Sequence, residues 1–579
     1  MTGHLLSVRD LRVGFGKVPE DNEVVHGVDF DLTAGETLAI VGESGSGKSV
    51  TAMSVNRLIG YSGGRILGGS MMFTRSDGTQ VDLAALDEPA LEKIRGRDIG
   101  MIFQEPMTSL NPVLTIGTQI EESFRLHHGM SGAGARVAAR EALERVRIPD
   151  AERRLANAPH QLSGGMLQRV MIAIALAAQP RLLIADEPTT ALDVTIQAQI
   201  MGLLAEMKRE TDTGLIFITH DIGLVAGLAD RIMVMQHGKV VEQGAIDAVL
   251  DDPQHDYTKH LLNAVPHFSD GKSVRRDHSR DGKSGRALDV KGLTVRFPVR
   301  AGLLRRARSN VHAVEDVSFD LMQGETLAVV GESGSGKSTT ARAILGLVNA
   351  TRGEITADKT GLGSADKPVQ MVFQNPNASL NPRLTIAQIL AEPLKAVGRH
   401  IDEAARARMV ELLERVELPA DSLPRYPHEF SGGQRQRLCI ARSLMLNPSV
   451  LVLDEAVSAL DVSVQARVLD LLADLQREFG LAYLFVSHDM AVVERIAHRI
   501  AVLYAGQIVE MGSAASVLAD PRHSYTKRLI SAVPSIERRH MEFAIDTRSV
   551  PSLMRPAGFE PDTAPWVEHG PDHLARAEG

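Results

Sequence analysis

The octapeptide Gly-Glu-Ser-Gly-Ser-Gly-Lys-Ser occurs twice in this 579-residue chain. It stands as Gly42-Glu43-Ser44-Gly45-Ser46-Gly47-Lys48-Ser49 and again as Gly331-Glu332-Ser333-Gly334-Ser335-Gly336-Lys337-Ser338. Each copy follows an apolar run, Thr37-Leu38-Ala39-Ile40-Val41 or Thr326-Leu327-Ala328-Val329-Val330, and precedes a helix-compatible stretch. In that strand–turn–helix setting the pattern is a phosphate-binding loop. Its glycines let the backbone wrap so that successive N–H groups face one concavity. The helix start adds further unpaired N–H groups and the positive end of its dipole. Lys48 and Lys337 supply a point charge for the outer phosphates, and Ser49 and Ser338 can ligate Mg²⁺. Two nucleoside triphosphates per chain are implied.

At 579 residues the chain is too long for one ordinary core, so two or more domains are expected. A hydrophobic content of 44% with 23% charged residues fits a soluble globular protein. The net charge of −9 argues against nucleic acid or anionic lipid as a direct large-area partner. No segment approaches the roughly 20 apolar residues that span a bilayer, and the longest candidate, 170–178, sits inside a helical pattern. Residues 1–15 read as a first strand rather than a signal peptide, so a cytoplasmic location is expected. The single cysteine, Cys439, excludes internal disulfides and any cysteine-built metal cluster. Its neighbours Leu438 and Ile440 suggest a buried helix position.

The chain is an internal duplication. The phosphate loops are offset by 289 residues, Gln104 and Gln374 by 270, and Ser163/Ser431, Asp186/Asp454 and His220/His488 all by 268. Strand-like runs such as 181–185 and 215–219, or 450–453 and 483–487, alternate with helical ones. The fold class is therefore α/β with a largely parallel sheet in each half. Between each Gln and Ser landmark lies a mostly helical segment (121–145 or 401–416), read as a helical subdomain inserted in the α/β core. The organisation expected is a first domain over 1–265, a flexible linker over 266–287, a second domain over 288–535 and a tail over 536–579. The linker is rich in Ser, Gly, Asp, Lys and Arg, with a reach on the order of 25 Å. The tail, with five prolines, reads as irregular and loosely packed on the second domain.

Two apolar strands end in acidic pairs, Asp186-Glu187 and Asp454-Glu455. Following a phosphate loop, they supply what phosphoryl transfer lacks. The first acid can hold the Mg²⁺ shell, and the second can orient or deprotonate the attacking water. Between loop and acids lie Ser163-Gly164-Gly165-Met166 and Ser431-Gly432-Gly433-Gln434. Each opens a helix, where a serine hydroxyl and glycine N–H groups form another anion site. Two phosphate sites per domain make sense if each Ser-Gly-Gly serves the opposite domain's nucleotide.

The order loop, Gln, Ser-Gly-Gly, Asp-Glu, Asp, His resembles that of ABC-type ATPases over nearly the whole chain. The resemblance implies two tandem P-loop ATPase domains, each a RecA-like α/β core with an inserted helical subdomain, forming an internal dimer around ATP and Mg²⁺. Gln104 and Gln374 would touch Mg²⁺ or water and report to a membrane partner. Asp193 and Asp461, in Ala-Leu-Asp, would lie at the dimer seam. His220 and His488 would contact the γ-phosphate. Phe15 and Phe297 would either stack on adenine or serve as core residues. Three positions differ between the halves: Val50 stands where the second half has Thr339, Met166 where it has Gln434, and Ala456 where the first half has Pro188. None of these removes a charge or a catalytic carboxylate, so both sites are expected to hydrolyse ATP.

The segments 103–112 and 373–382, with His255-Asp256-Tyr257-Thr258 and His523-Ser524-Tyr525-Thr526, resemble the ATPases of dipeptide, oligopeptide and nickel importers. The two halves resemble that family's paired subunits in fused form, closest to its glutathione-importing branch. That implies two separate permease chains, an extracytoplasmic binding protein, and a peripheral position on the cytoplasmic face of the inner membrane. An importer of another small solute is the alternative within the family. A soluble twin-ATPase of the ribosome-acting kind is the alternative outside it, but that family carries a long charged helical linker and tends to lack the glutamines. DNA-repair ATPases would need a coiled coil or zinc site. Many importer ATPases bind an iron–sulfur cluster through cysteines after the core; with none there, no cluster is expected.

Overall fold

A computed structural model of the chain describes residues 3–190, 192–265, 268–269, 285–301, 306–359, 367–458, 460–536, 539, 551–570 and 572–578. They fall into two compact units, the first built mainly from residues up to 265, the second mainly from those after it.

The first unit runs β1 (Leu6–Phe15), β2 (Glu23–Leu32), β3 (Thr37–Val41), β4 (Gly64–Thr74), β5 (Gln80–Asp82), β6 (Ile99–Ile102), β7 (Leu182–Asp186), β8 (Gly214–Ile218), β9 (Arg231–Gln236) and β10 (Lys239–Ala245). Its core sheet has the order β10-β9-β3-β8-β7-β6, parallel except at β10. β3, β7 and β8 are buried along their whole length, as expected where helices or a second sheet cover both faces. Alternate residues serve opposite cores. Leu38, Ile40, Leu182, Ile184, Ile216 and Ile218 join one apolar cluster, and Ala39, Val41, Leu183, Ala185, Leu215 and Phe217 join the other. At roughly 1.5–3 kcal/mol for each large buried side chain, a one-residue slip would misplace two cores at once.

The second sheet, β2-β1-β4-β5, is antiparallel. The sequence reading did not separate it from the parallel core, because the residues of β1 do not by themselves name the strands it pairs with, β2 and β4. The helical insert is present as helices Ile116–His128 and Gly132–Arg145. Thr115 and Ser131 cap their N-termini, and Gly129 ends the first at φ 62°.

The second unit repeats this plan with β11 (Arg286–Ala301), β12 (Arg306–Met322), β13 (Thr326–Val330), β14 (Arg352–Ala357), β15 (Val369–Val372), β16 (Val450–Asp454), β17 (Ala482–Ser487), β18 (Arg499–Tyr504) and β19 (Gln507–Ser513). Most of the expected linker lies outside the described residues. At its start, Phe268 is buried and the Ser269 backbone N–H donates to Glu494 at 2.8 Å. At its end, Arg286 and Ala287 already belong to β11. Cys439 is buried in helix Gly432–Leu444, and burial pushes its thiol up to about 11.

The tail departs from expectation. Rather than staying irregular, it adds β20 (Met554–Pro556) to β12, and β21 (Trp566–Gly570) and β22 (His573–Arg576) beyond β19. The same core-sheet edge is left at β10 in the first unit. The short strands are separated by prolines, which hid the pattern. Before them, Arg539 belongs instead to the first unit, where it pairs with Asp251 at 2.7 Å. Buried His573 and Glu510 lock β22, Nε2 to Oε1 2.7 Å. Arg576 Nε donates to the Ile508 carbonyl at 2.8 Å.

His573→Ala should therefore cost the second unit about 1–3 kcal/mol, because it strips a partner from a buried carboxylate. Calorimetric unfolding of the full chain should show the second unit's transition lowered and the first unit's unmoved. An unshifted transition would mean that the tail does not hold the sheet edge.

Candidate active site

Both phosphate loops take the wrapped form that their glycines require. Gly42, Gly45 and Gly47 have φ of 150°, 78° and 98°, and Gly331, Gly334 and Gly336 repeat these at 151°, 78° and 108°. A Cβ on Gly42 would sit 2.2 Å from the Met235 carbonyl oxygen, and one on Gly331 equally close to that of Leu503. Lys48 Nζ donates to the carbonyls of Gly42 and Glu43 at 2.7 and 2.9 Å, and Lys337 does the same to Gly331 and Glu332. Both ammonium-bearing side chains are buried.

The acids lie directly beside the loops. Ser49 Oγ donates to Asp186 Oδ1 at 2.9 Å, and Ser338 Oγ to Asp454 Oδ1 at 3.0 Å. Gln104 Nε2 donates to Glu187 Oε2 at 2.8 Å, and Gln374 Nε2 to Glu455 Oε2 at 2.6 Å. On the other carboxylate oxygen, His220 Nδ1 stands 3.5 Å from Glu187 and His488 Nδ1 3.4 Å from Glu455. Glu187 and Glu455 both have left-handed backbone, φ 47° and 48°. That conformation is costly for a non-glycine residue. It is held by their N–H bonds to the Ile218 and Val486 carbonyls.

Neighbouring acids titrate in opposite directions. Burial pushes Asp186 up to about 6, against the Ser49 hydrogen bond. Burial also pushes Glu187 up, but His220, Thr190 and Lys48 together outweigh it and hold the group at about 2. In the second unit burial likewise raises Asp454, while His488, Lys337 and Gln374 overcome burial to lower Glu455. Glu455 in turn raises His488 against the burial of the ring. Within each pair the two carboxylates thus sit in environments that push their acidities apart.

Each Ser-Gly-Gly opens a helix, Gly164–Leu176 or Gly432–Leu444, capped by Ser163 or Ser431. The second glycine is a packing requirement. A Cβ on Gly165 would meet Ile196 at 2.8 Å, and one on Gly433 would meet Val464 at 2.3 Å. Gln434 completes a reciprocal capping box by accepting the Ser431 N–H at 2.9 Å. Met166 has no acceptor to do so. Val50 packs instead against the first unit's apolar cluster. Asp193 and Asp461 each stand just before a long helix, Val194–Glu210 and Val462–Phe479. The two phenylalanines differ. Phe15 is half-buried, 3.0 Å from where a Cβ on Gly64 would lie, whereas Phe297 is exposed.

Some participants were not read from the sequence. Thr190 Oγ1 donates to Glu187 Oε2 at 2.9 Å. Gly238 and Gly506 donate their N–H groups to the carbonyls of Ser46 and Ser335, each at 3.0 Å. The signal was available, since Gly238 and Gly506 share the 268-residue offset.

A sheet that brings a phosphate loop, an Asp-Glu pair, a glutamine and a histidine to one edge defines a P-loop ATPase of the ATP-binding-cassette class. The chain belongs to the ABC transporter family, whose model matches residues 25–190 and 314–458. A model for the oligopeptide/dipeptide transporter C-terminal region matches 241–291 and 509–558. The chain is similar to the glutathione import ATP-binding protein GsiA of Pectobacterium atrosepticum, 49% identical over 98% of this chain and 96% of that one. It is 48% identical to GsiA of Escherichia coli K12 over 99% and 96%. Archaeal ribosome recycling factor aABCE1, solved in complex with a ribosomal stalk protein, matches 85% of this chain and 87% of its own. Its TM-score of 0.55 at 19% identity shows the fold alone.

The raised Asp186 value carries a sign. A folded-state value of about 6 against the ordinary 3.8 means that stability is lost as pH rises through that interval, and the full cost is present at neutral pH. Asp186→Asn should therefore stabilise the first unit at pH 7.5, by at most about 3 kcal/mol. Thermal unfolding in the presence of a chelator measures this directly. A lowered midpoint would show that the ionised carboxylate carries no such cost.

Proposed function

We propose that this chain is the ATP-hydrolysing subunit of an importer for glutathione or small peptides. It would work on the cytoplasmic face of the inner membrane with two separate permeases and an extracytoplasmic binding protein. The observation that carries the reading is the intact, repeated Gln–Glu–His cluster beside each Ser–Asp pair. The import ATP-binding relatives, similar over almost the entire chain, support the cargo class. Among the described residues no helix is long and apolar enough to cross a membrane, so the permeases would be other chains.

The donor set suits a hard dication: a hydroxyl, a carboxylate and an amide oxygen from Ser49, Asp186 and Gln104, repeated in Ser338, Asp454 and Gln374. Mg²⁺ held there would neutralise phosphate charge. The loop N–H groups with Lys48 or Lys337 bind the triphosphate. Glu187, fixed by Gln104, Thr190 and His220, accepts a hydrogen bond from the attacking water and aims its oxygen at the γ-phosphorus. The bond to the ADP oxygen breaks as the new one forms, releasing ADP and phosphate. The same carboxylate can orient the water or take its proton. His220 and His488 would contact the γ-phosphate. We propose further, from the family resemblance, that Ser431-Gly432-Gly433-Gln434 completes the nucleotide site of Lys48. Ser163-Gly164-Gly165 would complete that of Lys337, with Asp193 and Asp461 contributing at the seam.

Glu187→Gln and Glu455→Gln should each lower ATP turnover about a hundredfold or more. Wild-type turnover in either variant would sink the claim that both sites hydrolyse. The cargo is tested by titrating the partner binding protein with glutathione and with di- to pentapeptides. Stimulation of ATPase activity in proteoliposomes by one loaded form would confirm it, and indifference to all would overturn it.

A further inference from the structure

The segments that match the oligopeptide/dipeptide transporter C-terminal model enclose two constructions of one design. In the first unit Glu242 accepts the backbone N–H groups of Gln254 and His255 at 2.7 and 3.1 Å. His255 Nδ1 then accepts the N–H of Tyr257 at 3.1 Å, capping helix Asp256–Ala264. The buried Tyr257 hydroxyl accepts the backbone N–H of Glu43, inside the phosphate loop, at 3.1 Å. In the second unit Glu510 accepts the N–H groups of Arg522 and His523 at 2.8 and 2.9 Å. His523 Nδ1 caps helix Ser524–Ser531 by accepting the Tyr525 N–H at 3.1 Å. The Tyr525 hydroxyl accepts the Glu332 N–H at 2.8 Å. Each bond of one half recurs in the other.

We propose that Tyr257 and Tyr525 are positioning residues for ATP binding, bracing the phosphate loops from the segment that follows each ATPase core. The residue each tyrosine holds by its N–H is the one whose carbonyl the loop lysine takes at 2.9 Å. When a triphosphate draws that ammonium away, the tyrosine bond still ties the loop to the helix that carries the ring, itself pinned by Glu242 of β10 or Glu510 of β19. The phenol is a suitable anchor because it is buried, and its ring fixes the hydroxyl with only two rotatable bonds. The loop's other N–H groups stay aimed at phosphate.

The two braces are unequal. Arg528 lies 3.4 Å from the Glu332 carboxylate and over the ring of Tyr525, which itself stacks on Tyr504 at 4.2 Å. The matching positions in the first unit are the exposed His260 and the half-buried Gln236. The second loop thus has a side-chain anchor as well as a backbone one.

The inference rests on reading 42–49 and 331–338 as the nucleotide loops. The test uses the full chain with one loop disabled, so that MgATP affinity is read at the other by calorimetry. With Lys337→Ala as background, Tyr257→Phe should weaken affinity about fivefold to tenfold, the cost of an unpaired buried N–H. In the otherwise wild-type chain it should raise KM while kcat stays within about twofold. With Lys48→Ala as background, Tyr525→Phe should do less until Arg528→Ala is added. Amide exchange at Glu43 and Glu332 should quicken in the same variants, and Tyr504→Phe should change neither readout. Unchanged affinity and exchange in Tyr257→Phe, or a lower melting temperature with unchanged affinity, would overturn the brace. If Lys48→Ala and Lys337→Ala together left ATP binding intact, the loop assignment itself would fall.

Discussion

Parallel pairing of four short strands is the constraint on which the site depends. β3 lies between β8 and β9, β8 beside β7, and β7 beside β6, with Ile40 opposite Ile218, Ile218 opposite Asp186 and Ala185 opposite Ile102. All four strands point the same way, so their C-terminal ends fall along one edge. The phosphate loop follows β3, the acids end β7, His220 follows β8 and Gln104 follows β6. Ligands of open α/β sheets gather at that edge. Ser49 and Asp186, 137 residues apart, meet at 2.9 Å for this reason alone.

The same pairing explains why neighbouring carboxylates behave differently. Asp186 is the last residue of β7 and is enclosed by the sheet, so its charge is poorly solvated. Glu187 is one residue further, turned by a left-handed backbone toward Gln104, Thr190 and His220. One step along the chain thus separates a carboxylate raised by burial from one held low by its hydrogen-bond partners. A duplicated sheet repeats the acids with their glutamine and histidine at Asp454 and Glu455, although Ser458, at the place of Thr190, donates to the Glu455 carbonyl rather than to its carboxylate. The capping box of Ser431, the Arg528 anchor and the strands of the tail belong to the second unit. The charged groups of the two sites match.

Much was legible in the sequence because a phosphate loop is a local device. Gly42, Gly45 and Gly47 are needed for backbone angles set within eight residues, and the apolar runs on either side of the sites have lengths only a buried strand uses. The antiparallel sheet was less legible, since the pairing of β1 with β2 and β4 is a tertiary choice that no local pattern expresses. The tail was misread for a related reason. β20 pairs with β12 and β22 with β19, partners far away in the chain, and prolines between the short strands mimic an irregular segment. Tyr257 and Tyr525 stood in plain view as part of a family signature, yet their spacing to Glu43 and Glu332 exceeds 190 residues. No local pattern can express such a bond.

The sequence by itself determined the chemistry: two phosphate loops, two acid pairs and the α/β repeat that carries them, because glycine placement, apolar run length and fixed offsets are one-dimensional properties. Only the tertiary structure decided which groups share a charge environment, how Asp186 and Glu187 part in acidity, that β20 extends the second unit's antiparallel sheet while β22 and β21 extend its core sheet, and that a tyrosine from each following segment holds each loop. These depend on burial and on distances across the sheet, which exist only once the chain has closed on itself.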